Sequence, residues 1–572
     1  MKTFFIFICI SLSLLCSSHL LAEKQNKTLV FARGSDSVKL DPHAVSDGES
    51  AKVIRQIFET LVTFKSGTLE IAPSLATSWK FSEDKLTCEF TLRQGVKFHD
   101  GSECDAEAVV FSFQRYFDEN HPAHNAVPLL YQESFSDINS VIKISDYKVA
   151  FKLKRPSAPL LNNLTMFAAS IISKSSWETH GKGISSNPVG TGPWKFSLWR
   201  RDELIILHRN ADYWGDRDIS KKTLSTQINK LIFKVVPESQ TRLSLLSRGE
   251  AHIADNVEPE HVVEATKNSN VTVQQQNSLN VGYLAFNNER PHMSDLKVRQ
   301  AIAHAINTEE LTKALFQGYA EQATSLLPPG MWGGDPSIQP YEYDVEKAKK
   351  LLFEAGLSKG LEVKLSIGSN SRPYLPSPYD AAILIKAALK KINVDVEIDN
   401  QPWASYLEFT KNGKHEMCLL GWSSDNGDPD NFLWPLLSIS ETKKPANNVA
   451  FYKNKQVNNW LDEARSVISQ EERTVLYQKA LNQVHKDVPS LPLAHSQQIV
   501  LCAKNLEGFV LHPDGVRMMP HLNFSEVIEV LAPHTQEDSS ETGWHSIVLK
   551  VLAGVFVLGI ILYLYTLPRK AR

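Results

Sequence analysis

Cysteine is scarce in this chain of 572 residues: there are six, two of them, Cys9 and Cys16, in the first 22 residues, and the others far apart at Cys88, Cys104, Cys418 and Cys502. No CxxC pair and no Cys/His cluster occurs, so nothing supports zinc-finger or thioredoxin-like chemistry, and no metal or cofactor is expected. Long blocks of one charge are also missing. With 61 basic against 64 acidic residues the net charge is -3, and without a basic stripe nucleic acid is not an expected partner. Hydrolase signatures are missing as well. There is no G-x-S-x-G, His415-Glu416 has Leu419 where a zinc protease needs its second histidine, and no cysteine sits in a protease signature. Gly190-Thr191-Gly192 runs into Pro193 with no third glycine to open a helix, so it reads as a turn and not as a dinucleotide fingerprint. No catalytic residue is assigned, although a membrane-tethered hydrolase stays as the alternative class.

What is present is an exported, multidomain α/β chain. Hydrophobic residues make up 42% and charged ones 22%, ordinary values for a globular protein, and roughly 500 residues exceed what one core organises. Met1-Lys2, the apolar run from Phe4 to Ile10 and Leu12 to Leu15 form a secretory leader with a cut after Ala22, although Cys16 could instead carry a lipid. Export permits disulfides, yet Cys88 alternates with Leu86, Phe90 and Leu92 on one strand face and reads as a buried thiol.

Periodicity predicts a first strand over 28–32, a helix over 52–65 and a hairpin within 79–98. A helix over 106–117 is expected behind Asp105, whose carboxylate suits an N-cap. A hairpin is expected over 194–207 and further strands over 230–236, 281–286, 361–367, 394–398 and 417–420, with a helix over 379–390 between the strands at 361–367 and 394–398. Two return segments are expected at 491–493 and 499–502. At the far end, 533–545 is a polar, acidic linker, and the segment 546–567 is, from Ile547 to Leu567, apolar apart from Lys550, Thr566 and two tyrosines. Arg569, Lys570 and Arg572 follow in a short tail at 568–572. Such a run is long enough to span a bilayer, with the basic tail on the cytoplasmic side.

The stretch Gly421-Trp422-Ser423-Ser424-Asp425-Asn426-Gly427-Asp428-Pro429-Asp430-Asn431-Phe432, behind Met417 to Leu420, reads as a buried strand running into a loop. Asn, Gly, Asp and Pro equally make a solvated acidic turn. An EF-hand loop fails, because Asp430 and Leu436 stand where Gly and Glu are needed. Together with Leu75-Ala76-Thr77-Ser78-Trp79, Leu92 to Gly101, Val109 to Phe113, Asn187 to Trp194, Asn280 to Asn287 and Val298 to Ala301, this loop resembles the periplasmic peptide-binding proteins that feed ABC importers, solute-binding family 5, and among them the dipeptide binders.

The resemblance covers residues 29–524 and implies a two-lobed periplasmic-binding-protein fold with an extra α+β subdomain. The first lobe would take 23–279 (subdomain about 59–186) and 505–532, and the second 280–504. It implies that Asp425 takes a peptide's α-ammonium and Arg372 its α-carboxylate, with Trp422, Tyr374 and Trp403 as walls. The expected function is capture of short peptides, dipeptides first, for an inner-membrane permease. An oligopeptide, haem or a nickel complex is the alternative ligand in the same fold. The expected location is the periplasmic face of the inner membrane, held there by the C-terminal helix.

Overall fold

The computed structural model describes residues 27–217, 228–515 and 519–525. The leader, the linker, the apolar run at 546–567 and the basic tail lie outside them. Among the described residues no helix is long and apolar enough to cross a membrane.

One twelve-stranded sheet is the frame for both lobes. The parallel pair Lys27–Arg33 and Ile228–Val235 centres the first lobe, while Leu361–Gly368 lies parallel to Val394–Gln401 and Met417–Ser423 in the second. The strand Ser490–Ala503 joins the two halves. Its first residues pair with Asn280–Phe286, and its last pair with Ile253–Asp255 and Val271–Asn277. The two return segments expected at 491–493 and 499–502 are therefore a single strand of 14 residues. Polar His495 to Gln498 interrupt its apolar pattern, but ladder hydrogen bonds to both lobes hold it extended. A strand shared by two lobes constrains their opening to bending at its middle, where Val271–Asn277 turns into Asn280–Phe286.

A separate four-stranded antiparallel sheet, Ala76–Phe81, Thr87–Leu92, Lys148–Leu153 and Ile138–Ser145, forms the α+β subdomain. Cys88, Phe90 and Leu92 point into its core as the alternation predicts. The helix Ala106–Phe117 packs on it. Asp105 accepts from the amides of Glu107 and Ala108, which satisfies donors that the first helical turn leaves open. All four described cysteines are free and buried.

The helix expected over 52–65 differs. It spans Gly48–Ile57, capped by Asp47, and Val62–Phe64 is a short strand paired with Ile71–Pro73. The helix stops because Phe58 turns extended and Glu59 swings into the junction with the subdomain. There the Gly190-Thr191-Gly192 crossing lies against the helix end. A Cβ on Gly190 would stand 2.1 Å from the Ile57 carbonyl oxygen, so close backbone approach explains this glycine.

Glu59 is 3% exposed and accepts hydrogen bonds from Thr191 Oγ1 (2.7 Å), Tyr213 Oη (3.0 Å) and Trp214 Nε1 (2.8 Å). Burial pushes its carboxyl up to about 7, against the lowering effect of these donors and of Arg93. A carboxyl raised on folding binds more protons folded than unfolded. Its stabilising effect is whole below the unfolded value, near 4.5, and is lost as pH rises through about 7. Thermal unfolding followed at pH 5 and pH 8 should show a decline worth on the order of 3 kcal/mol from this group. That decline should shrink in Glu59→Gln; an unchanged difference in the variant would remove Glu59 as its source.

Candidate functional site

The strand Met417–Ser423 ends at the face between the lobes, and the loop behind it turns back on itself through its own side chains. Ser424 Oγ accepts from the amides of Asn426 (3.3 Å) and Gly427 (2.9 Å), and Asn426 Oδ1 accepts from the Asp428 amide (3.0 Å). The segment expected to remain a loop through Phe432 instead enters the helix Asp430–Leu437 directly after Pro429. Proline is well suited to the start of a helix, because its missing N–H would have had no partner there. Asp428 meets Arg473 through two hydrogen bonds of 2.9 and 2.7 Å, and Asp430 lies 3.5 Å from Arg465. Burial pushes Asp430 up to about 6, opposed by Arg465. Both carboxylates are thus matched to arginines and not gathered around a cation.

Asp425, half-buried, accepts a 2.9 Å hydrogen bond from Tyr131 Oη of the subdomain. Beside it Asn426 donates to Asn163 Oδ1 (2.7 Å), and its carbonyl accepts from Asn162 Nδ2 (2.9 Å). Leu69 packs over Gly427, whose φ of +69° and near contact suit no side chain. First-lobe residues therefore cover this loop directly. A second set of cross-lobe contacts follows: Arg155, held by Asp137 of its own subdomain (2.8 Å), bonds Asp462 (2.6 Å), and Arg465 lies 3.7 Å from Asp137.

Arg372 lies in the loop between the strand Leu361–Gly368 and the helix Pro378–Lys390, held by a two-way backbone bridge to Leu375 (3.1 and 2.9 Å). Its guanidinium carbon lies over the Trp403 ring, 3.8 Å from the centroid, and its Nε is buried with no partner. Burial lowers its proton affinity, while Tyr374, Asp47 and Glu49 act in the other direction. An arginine stacked by its face keeps its edges for a carboxylate, the arrangement in which its planar fork holds two oxygens.

Tyr374 fills the space that Gly421 leaves: a Cβ there would meet its ring at 2.2 Å. Burial pushes its phenol up to about 12. Trp422, next along, has an Nε1 that is buried without a partner. Arg372 and Trp403 are brought together by their contact and Tyr374 lies against Gly421, whereas Trp422, the next residue of that strand, points to the opposite face. Asp425 closes the same strand end and is covered from the first lobe. Glu49 and Asp47, at the start of the helix Gly48–Ile57, act on Arg372, and Arg55, in its last turn, acts on Tyr131.

Sequence reasoning missed Tyr131, Asn162, Asn163 and Leu69. Their only local signal is the left-handed backbone at Tyr131, φ +65°, which no residue pattern announces.

Two lobes around a bending strand, with an acid and a stacked arginine on the face between them, define the class of extracellular solute-binding proteins. Residues 70–444 match the bacterial extracellular solute-binding proteins, family 5, and the chain belongs to that family. It is 34% identical over 512 residues to the dipeptide-binding protein of Escherichia coli K12, covering 86% of this chain and 94% of that one. It is also 34% identical over 507 residues to heme-binding protein A of Haemophilus influenzae, with 86% and 91% covered. Among solved structures, the periplasmic binding protein DppA of Helicobacter pylori in complex with the peptide STSA is similar, with TM-score 0.78 and 36% identity over 88% of this chain and 99% of that one. The dipeptide-binding protein of Pseudoalteromonas sp. SM9913 in complex with Met-Leu gives TM-score 0.80 and 31% identity over 87% and 100%.

Proposed function

We propose that this protein captures short peptides between its lobes and hands them to the permease of an ABC importer, without altering them. The observation that carries the reading is the half-buried Arg372, set over Trp403 with its buried Nε unpartnered. A buried donor without a partner costs stability, and a ligand carboxylate supplies that partner. Asp425 is the anion for the other end of a zwitterion. Kinship with proteins named for dipeptides, and with structures holding STSA and Met-Leu, supports the same reading.

The test is calorimetric titration with a dipeptide panel, with haem as a separate titrant. It is followed by an assay for free amino acids after prolonged incubation. Stoichiometric dipeptide binding with the peptide recovered whole is expected. Sustained release of amino acids would make the protein a hydrolase, and tight binding of haem but no peptide would move it to the haem carriers, which the Haemophilus relative exemplifies.

The same proposal includes a location. The leader at 1–22 and the apolar run at 546–567 support a large domain on the periplasmic side, tethered to the inner membrane. A tether raises the receptor's concentration near its permease. Deleting 544–572 should move the protein from the salt-washed membrane fraction to the soluble one. Retention in the membrane, with Cys16 shown to carry no lipid, would refute the anchor.

A further inference from the structure

Arg55 repeats on the first lobe the arrangement that Arg372 has on the second. Its guanidinium faces an aromatic ring, Phe167, at 5.7 Å from the centroid, its side chain is 10% exposed, and its Nε is buried without a partner. Asp514 approaches only the Nη2 end, at 3.4 Å, the outer limit of a hydrogen bond, and also meets His512. The Nε edge is left to something else.

Further buried polar atoms without partners lie beside it. A Cβ on Gly515 would stand 3.6 Å from Gln498 Nε2 and 3.7 Å from Arg55 Nη1, so both side chains border Gly515. Gln498 is directly opposite Gln276 in the antiparallel ladder, on the same face of the bending strands. Gln498 Oε1 and Gln276 Nε2 are both buried with no partner. An arginine edge and two amides left open in one place make a costly arrangement unless a ligand group completes it.

Its position says which part of the ligand would. Phe167, under Arg55, packs edge-on against Tyr131 at 5.6 Å, and Tyr131 donates to Asp425. From the other side, the Pro513 carbonyl accepts from the Leu279 amide, and the Leu279 carbonyl accepts from the Ser424 amide. Both routes lead from Arg55 to the loop that carries Asp425, the ammonium end of the proposed site.

Resting on the peptide reading above, we propose that Arg55, with Gln498 and Gln276, is a side-chain subsite that selects peptides whose N-terminal residue bears a carboxylate. Guanidinium pairs with carboxylate through charge-assisted bonds worth about 1.5–3 kcal/mol, roughly tenfold to a hundredfold in affinity. The two amides turn to donate or accept around the same group.

The experiment titrates full-length protein with Glu-Ala, Gln-Ala, Leu-Ala and Ala-Ala. The expected result is Glu-Ala bound at least tenfold more tightly than Gln-Ala or Leu-Ala. Arg55→Met should abolish that preference and Gln498→Leu should reduce it, with Ala-Ala affinity kept within a few-fold in both. Ala-Ala binding shows that each variant is folded with its peptide site intact, and if Arg55→Met fails this control, Gln498→Leu carries the test alone. Equal affinity for Glu-Ala and Leu-Ala, or a preference that survives both substitutions, overturns the subsite while leaving the peptide reading standing. Failure of all four dipeptides on the wild type removes both.

Discussion

Asp425→Asn and Arg372→Ala should each weaken dipeptide binding by roughly two to three orders of magnitude or more. On the proposed reading each charge faces the opposite end of a zwitterion, and little water, once the cleft is occupied. Truncating one member of such a buried pair strands the other, at about 3 to 5 kcal/mol, and each 1.4 kcal/mol is about tenfold in affinity. The same pair in solvent would lose only about 0 to 1 kcal/mol. Asn at 425 can still accept from Tyr131, so that first-lobe contact survives the substitution. Blocked peptides separate the two ends in a calorimetric titration. N-acetylation should harm the wild type far more than Asp425→Asn, and C-amidation should harm it far more than Arg372→Ala. If blocked and free dipeptides bind the wild type alike, neither residue anchors a terminus, and a longer peptide, a metal complex or haem becomes the better ligand.

The two anchors were readable in different ways. The strand Leu361–Gly368 and the helix Pro378–Lys390 follow from apolar spacing, which brackets the Arg372 loop, but nothing local says that Arg372 lies on Trp403. That contact depends on the first turn of a helix some thirty residues downstream packing beside the strand end. Asp425 is harder still, because Asn-Gly-Asp-Pro composition suits a solvated turn equally well. What ties it to the first lobe is Tyr131, whose hydroxyl arrives from 294 residues away along the chain. Contacts of that range leave no periodic trace.

Two of the elements misread share a cause. The helix Asp430–Leu437 contains Pro435, and the strand Ser490–Ala503 contains Pro492 and a polar middle, so local rules argue against both. The strand persists because partners on both flanks take its ladder bonds, and the helix because Phe432, Leu433, Leu436 and Leu437 all bury in the second-lobe core. In each case tertiary burial outweighs propensity. By contrast, the helix Ala106–Phe117 appears where its pattern and its Asp105 cap put it, since there local and global preferences agree.

Asp428→Ala should cost about 3 to 5 kcal/mol of stability and lower peptide affinity as well, although Asp428 need not touch the ligand. Its side chain is 1% exposed and holds both terminal nitrogens of Arg473, itself 5% exposed. Arg473 is further tied to Tyr477 Oη (2.8 Å) and the Ala464 carbonyl (2.9 Å), and sits 4.8 Å from the centroid of Trp332. So enclosed, the guanidinium has no route to water once its carboxylate is gone, and the whole desolvation cost appears as lost stability. Replacing both partners, Asp428→Ala with Arg473→Met, removes the stranded charge and should recover a large part of that loss, a coupling that a double-mutant cycle reads directly. The effect on binding follows from the chain: Asp428 is three residues past Asp425, and its Oδ1 also accepts from the Asp430 amide that opens the helix. Releasing it loosens the loop that aims Asp425, so affinity should fall even at temperatures where the variant is fully folded. Urea unfolding together with dipeptide titration decides the matter. A single-variant loss under about 0.5 kcal/mol, the range of ordinary surface changes, or an affinity equal to wild type, would show that the Asp428–Arg473 pair does not support the binding loop.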